Sequence, residues 1–281
     1  MEPSKQISSE YLDHSSAIAK RPKQGKSNVL NRIFFPYTVW FLFLLIPFIA
    51  IGFWPGYWSK IFGDVNFGSV IHIHNWLMMA WVAMSIAQPL LILKKKIQWH
   101  RILGKISYVL MPLVLISGYF LIQERYLRRL SGMSERVASG EIEMTSEQIY
   151  SSAAASLDLG LVYSLLLAGL YALAIIYRKR ILYHATFMFG AILTALGPSV
   201  DRIIFQVYSP EGVLMNYVAS YATLTFTILL LGALAWYQKR KGNSSIPALI
   251  TMGAYIGGVF LIEFGSKTTA WQVVVESLFK A

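Results

Sequence analysis

Read along the chain, apolar residues gather into runs of membrane-spanning length, separated by short polar stretches. The runs lie at about 34–53, 72–93, 102–122, 155–177, 185–205, 217–237 and 246–264. They predict an all-α polytopic membrane bundle of about seven transmembrane helices. Within the runs, the polar and small residues fall on stripes spaced alternately four and three apart, which share one helix face. The second run carries His74, Met78, Trp81, Ser85 and Gln88; the third carries His100, Gly104, Ser107 and Met111. The fourth opens on Asp158 and passes Gly169, and the fifth carries His184, Met188, Ala191, Ala195, Pro198 and Arg202. Lipid cannot solvate polar groups, so these stripes are expected to face neighbouring helices.

Three segments organise the chain. Residues 1–31 are polar, basic and aperiodic, and read as a disordered tail. The apolar run that follows is long enough to span, so no cleaved signal peptide is expected. Residues 32–265 form the bundle, with 72–205 as its core. Residues 266–281 read as an interfacial segment, in which Trp271, Val274, Val275 and Leu278 have helical spacing. The loop 123–152 is amphipathic and charged, and part of it is expected to be a surface helix.

One phrase occurs twice. Lys94-Lys95-Lys96-Ile97-Gln98-Trp99-His100 and Arg178-Lys179-Arg180-Ile181-Leu182-Tyr183-His184 each give three cations, an isoleucine, a free position, an aromatic ring and a histidine. They stand 84 residues apart, and the same offset carries His74 to Asp158. This pattern predicts an internal repeat of two-helix units. Its alternative is chance, since basic triplets commonly mark membrane edges.

Charge sets orientation. With the tail inside, 17 of the 25 cations fall on inner segments, and beyond the tail every acidic residue falls outside. The amino end is therefore expected in the cytoplasm and the carboxyl end outside. A net charge of +11 thus reflects topology, with anionic lipids as partners at the inner face and no nucleic acid. The chain has no cysteine, which excludes disulfides, cysteine-bound clusters and thiol chemistry.

Two polar centres follow. The inner one pairs His100 with His184, with Arg101 and Lys105 close by; bis-imidazole haem ligation with cations on the propionates is one reading, and contact with lipid headgroups is the other. The outer one gathers His72, His74, Asn75, Asp158, Asp201 and Arg202, with Glu263 in the vicinity. A metal or proton site using His74 and Asp158 stands there against an ion pair of Asp158 or Asp201 with Arg202. Gln88 and Pro89 are read as packing residues first, with a kink or a bond to a neighbouring backbone as the alternatives. A membrane-embedded metal hydroxylase would need clustered histidines, and the chain has five in all.

The run His74-Asn75-Trp76-Leu77-Met78, then Gln88 with Leu90-Leu91, then His100-Arg101-Ile102-Leu103-Gly104 resembles an uncharacterised family of bacterial multi-span membrane proteins. His184 with Met188, and Pro198 with Arg202, fit the same family over about residues 70–205. The resemblance implies a bacterial inner-membrane location and a shared fold, without an activity. The same histidines, with lysines before His100, are also similar to the ascorbate-type transmembrane di-haem cytochromes. That resemblance implies a haem b between His100 and His184, and an electron-transfer role. Asp158 stands where a second outer histidine would be needed, so only one haem is implied.

Overall fold

A computed structural model describes residues 29–63, 67–208 and 213–279. Most of the predicted tail, with Asp64 and Glu211, lies outside the described residues. Among the described residues the chain is all-helical. Among them, six helical segments are long and apolar enough to cross a membrane, one of which (181–204) is broken within, and the protein is a multi-pass membrane bundle. The helices are α1 (Val29–Ile33), α2 (Thr38–Phe43), α3 (Leu45–Phe53), α4 (Ser69–Leu93), α5 (Ile97–Ala138) and α6 (Ser146–Ala155). They continue with α7 (Asp158–Ile176), α8 (Ile181–Leu193), α9 (Leu196–Tyr208), α10 (Val213–Arg240), α11 (Ile246–Glu263) and α12 (Thr269–Phe279).

Two predicted spans are broken, and proline explains both. Pro47 lacks an N–H and its ring meets the carbonyl four residues back, which belongs to Phe43. α2 ends at Phe43 and α3 begins at Leu45, so 38–53 is two short helices. Pro198 acts in the same way on Thr194, and α8 gives way to α9 across Thr194 and Ala195. Pro89 and Pro112 sit inside unbroken helices.

α4 packs along α5, α7 along α8, α10 along α9 and α11, and α3 along α9. The last contact is backbone-close: a β-carbon at Gly52 would stand 2.5 Å from the Ser199 carbonyl oxygen. The main core joins these helices around Trp81, Met111, Leu170, Phe187, Leu224 and Leu231. α1 belongs to it through Leu30 and Ile33, and the Asn31 carbonyl accepts from Tyr237 Oη at 2.9 Å. Residues 29–31, read as tail, are therefore docked.

On α5 the expected inward face is buried at Ser107, Met111, Val114 and Gly118. The opposite face exposes Ile102, Ile106, Val109, Leu113, Ile116 and Phe120, again four and three apart, as a helix against lipid requires. α5 then runs on through Glu124 and Arg128 to Ala138, so half of the predicted loop is a continuation of the span. That extension, α6 and α12 enclose a second core of Tyr126, Met133, Ile149, Leu157, Trp271 and Val275. A reciprocal capping box, Thr145 with Gln148, starts α6. In α12 the buried stripe is Trp271, Val275 and Phe279, while Val274 and Leu278 are exposed.

Candidate functional site

Both copies of the repeated phrase build the same helix start. Lys96 and Arg180 are the non-helical caps of α5 and α8, and each histidine is the fourth residue of its helix. Their amides bond back to the caps, His100 N to Lys96 O at 3.1 Å and His184 N to Arg180 O at 2.9 Å. The preceding helix exits differ. α4 ends in a Schellman turn, with Lys96 N bonded to Leu91 O and Lys95 in the left-handed region at φ 57°. Among the described residues no such left-handed residue lies in the Arg178–Arg180 turn.

The two histidines meet. Their ring centroids are 6.5 Å apart and the rings are nearly perpendicular, at 85°. His184 Nδ1 lies 2.9 Å from the Ala174 carbonyl oxygen of α7; it therefore donates, and its proton sits there. Gln88 of α4 closes the other side. With its amide nitrogen toward His100, it donates to the His100 carbonyl oxygen (3.3 Å) and to the ring Nδ1. Its Oε1 then accepts from Gly104 N at 3.0 Å. In this network His100 carries its proton on Nε2 and His184 carries its own on Nδ1. Arg101 and Lys105 are exposed on a neighbouring face of α5. Arg180, the last cation of the second phrase, lies 5.7 Å from the ring centroids of both Tyr177 and Tyr183.

Deeper in the bundle the same face continues. Tyr171 Oη bonds Ser107 Oγ at 2.9 Å, and Ser107 donates to the Gly104 carbonyl at 2.7 Å. Trp81, almost wholly buried, sets its ring edge-on to Tyr171 at 5.7 Å. Trp81 Nε1 and Ser85 Oγ are buried with no hydrogen-bond partner. No regular spacing in the sequence marks Tyr171 for this site; its partner sits in another helix.

The outer centre is dispersed. His72 Nδ1 pairs with Tyr57 Oη at 2.8 Å, and His74 Nδ1 with Ser117 Oγ at 3.1 Å. Asp158 Oδ1 accepts from its neighbour Leu159 N at 2.6 Å. Asp201 Oδ2 accepts from Ser220 Oγ at 2.8 Å. Glu263 takes the Tyr221 hydroxyl and the Lys267 ammonium. The expected ion pair of Asp158 or Asp201 with Arg202 does not form. Arg202 donates instead to the Pro198 carbonyl at 2.7 Å and lies 4.3 Å from the Phe53 ring centroid. Residues 201 and 202 are about 100° apart around the helix, so adjacent side chains cannot face one another. Arg202 remains an electrostatic neighbour of His74, as Arg125 is of Asp158. Gly169, read as inward, is exposed. Among the described residues no group of three histidine, aspartate or glutamate side chains is placed to hold a metal ion.

The chain matches no protein-family model, no curated protein and no solved structure.

Proposed function

We propose that the protein is a redox protein of a bacterial cytoplasmic membrane and holds one b-type haem between His100 and His184. The observation that carries this is the 6.5 Å between the two ring centroids. Two metal–imidazole bonds of about 2 Å each, plus the half-width of each ring, set centroids roughly 6 to 6.5 Å apart. The donor set fits as well. A histidine that ligates through Nε2 is usually fixed by a backbone carbonyl at Nδ1, as His184 is by Ala174. His100 ligates through Nε2 only as the Nδ1–H tautomer. Gln88 serves that tautomer by turning its amide oxygen to the ring, giving up its bonds to Gly104 N and to the His100 carbonyl. Arg101, Lys105 and Arg180 are the cations for the propionates. A bound haem would supply one-electron chemistry, and α5 and α8 would hold its ligands.

The test is an absorption spectrum of detergent-purified protein from haem-supplemented cells. A Soret band is expected in the wild type, lost in both His100→Ala and His184→Ala. Wild-type protein without that band, or variants that keep it, would overturn the reading.

A second reading has its own support. Trp81 Nε1 and Ser85 Oγ are buried and unpartnered on the helix face that leads to Gln88. A haem-free protein would use them to bind a lipid, an ion or a small polar ligand between α4, α5, α7 and α8. Anionic headgroups at Lys94–Lys96 and Arg178–Arg180 fit the same reading. Native mass spectrometry would then find a retained molecule that is lost in Trp81→Phe, with no chromophore in either protein.

A further inference from the structure

A second feature lies away from the histidine pair, where α8 breaks into α9. Asp201 Oδ1 is buried and has no hydrogen-bond partner. Tyr163 of α7 is more than nine-tenths buried, and its hydroxyl also has no partner. The two groups address one place. Tyr163 Oη fills the space where Gly197 lacks a side chain: a β-carbon there would stand 2.1 Å from it. Gly197 and Asp201 are one helical turn apart on one face, which separates their β-positions by about 5–6 Å. The phenol and Oδ1 make no direct hydrogen bond, and each oxygen is left open beside this break. Pro198, between them in sequence, has no N–H, so the Thr194 carbonyl lacks its helical donor at the same break.

Among the described residues no ion pair neutralises Asp201, although the charge of Arg202 is felt there. α3, packed on α9, has no titratable side chain. α10 brings Ser220 to Oδ2, and its Tyr221 donates to Glu263 of α11. Tyr255 of α11, beyond Tyr163, donates to the Gly190 carbonyl at 2.9 Å. α8 has its titratable groups, Tyr183 and His184, at the opposite end of the helix. On α9 itself, Arg202 turns to the Pro198 carbonyl and the Phe53 ring. Carboxyl groups at membrane depth with a broken helix beside them are the usual parts of ion and proton sites.

We propose that Asp201 and Tyr163 form a proton-binding site inside the bundle, with one water joining Asp201 Oδ1 to the Tyr163 hydroxyl. Ser220 holds Oδ2, so exchange is confined to Oδ1. In the charged state the water donates to Oδ1 and accepts from Tyr163. When the carboxylate takes a proton from hydronium, the acid donates to the water, which turns its own hydrogen to the Thr194 carbonyl.

Infrared pH-difference spectra of the reconstituted wild-type protein test this. A carboxylic C=O band should grow as pH falls and move on carbon-13 labelling of aspartate. It should vanish in Asp201→Asn, persist in Asp158→Asn, and shift in both Tyr163→Phe and Ser220→Ala. The last two keep the carboxyl group and carry the test if Asp201→Asn does not fold. No titrating aspartate band in the wild type, a band that survives in Asp201→Asn, or one unmoved in both Tyr163→Phe and Ser220→Ala would overturn the proposal. Removal of the band by sodium at constant pH would overturn it in favour of a metal-cation site.

Discussion

Lys95 is a residue whose backbone works against its side chain. Its φ of 57° puts the Schellman turn after α4 in a conformation that costs an L-residue about 1 kcal/mol and costs glycine almost nothing. Lys95→Gly should therefore be more stable than Lys95→Ala by about 1 kcal/mol in detergent unfolding, since both lose the same charge. Gly197 is the opposite case, a residue defined by what it lacks. Gly197→Ala should destabilise by about 1–3 kcal/mol as the Tyr163 phenol is displaced. A double-mutant cycle with Tyr163→Ala should recover most of that loss; full additivity would refute the contact. Much of the residue scale was legible beforehand. The repeated phrase pointed to His100 and His184, and both lie at the predicted meeting point. The companions of the other polar groups were not legible. Tyr57 of the turn after α3, Ser117 of α5 and Ser220 of α10 reach His72, His74 and Asp201, and which residues meet there depends on helix crossing and depth, which no local pattern encodes.

At the scale of elements, hydrophobic period located the spans but overlooked where they stop. Pro47 and Pro198 interrupt two of them by the same rule, while Pro89 and Pro112 are absorbed within long helices. A proline by itself therefore does not tell where a membrane helix stops. The stretch after Phe120 reads as an amphipathic loop with a surface helix in it because seven charged residues interrupt its apolar positions between 124 and 141. Its apolar stripe, Tyr126, Leu130, Met133 and Val137, is spaced four and three apart and packs against α6 and α12. The capping box at α6 gives a measurable handle on this unit. Thr145→Ala should cost about 1 kcal/mol and speed hydrogen exchange at residues 146–149 while leaving the main core unchanged. Equal loosening throughout the bundle would show that the two cores unfold together.

For the whole molecule, the absence of native cysteine makes topology directly testable. A cysteine placed at Lys179 should resist an impermeant maleimide in intact cells, and one placed at Glu141 should react; the reverse pattern would invert the orientation read from the cations. The two cores sit at different depths because α5 is longer than a bilayer. Its 42 residues span about 63 Å, roughly twice the hydrocarbon thickness. The helix leaves the lipid without an intervening loop and ends inside the small second core. Whatever grips that knob also fixes the register of the buried part. A chain of 31.7 kDa, mostly hidden by detergent or nanodisc, gives an electron microscope little to align. An antibody fragment raised against residues 128–150 would act as a rigid fiducial, with no engineered linker to blur the image.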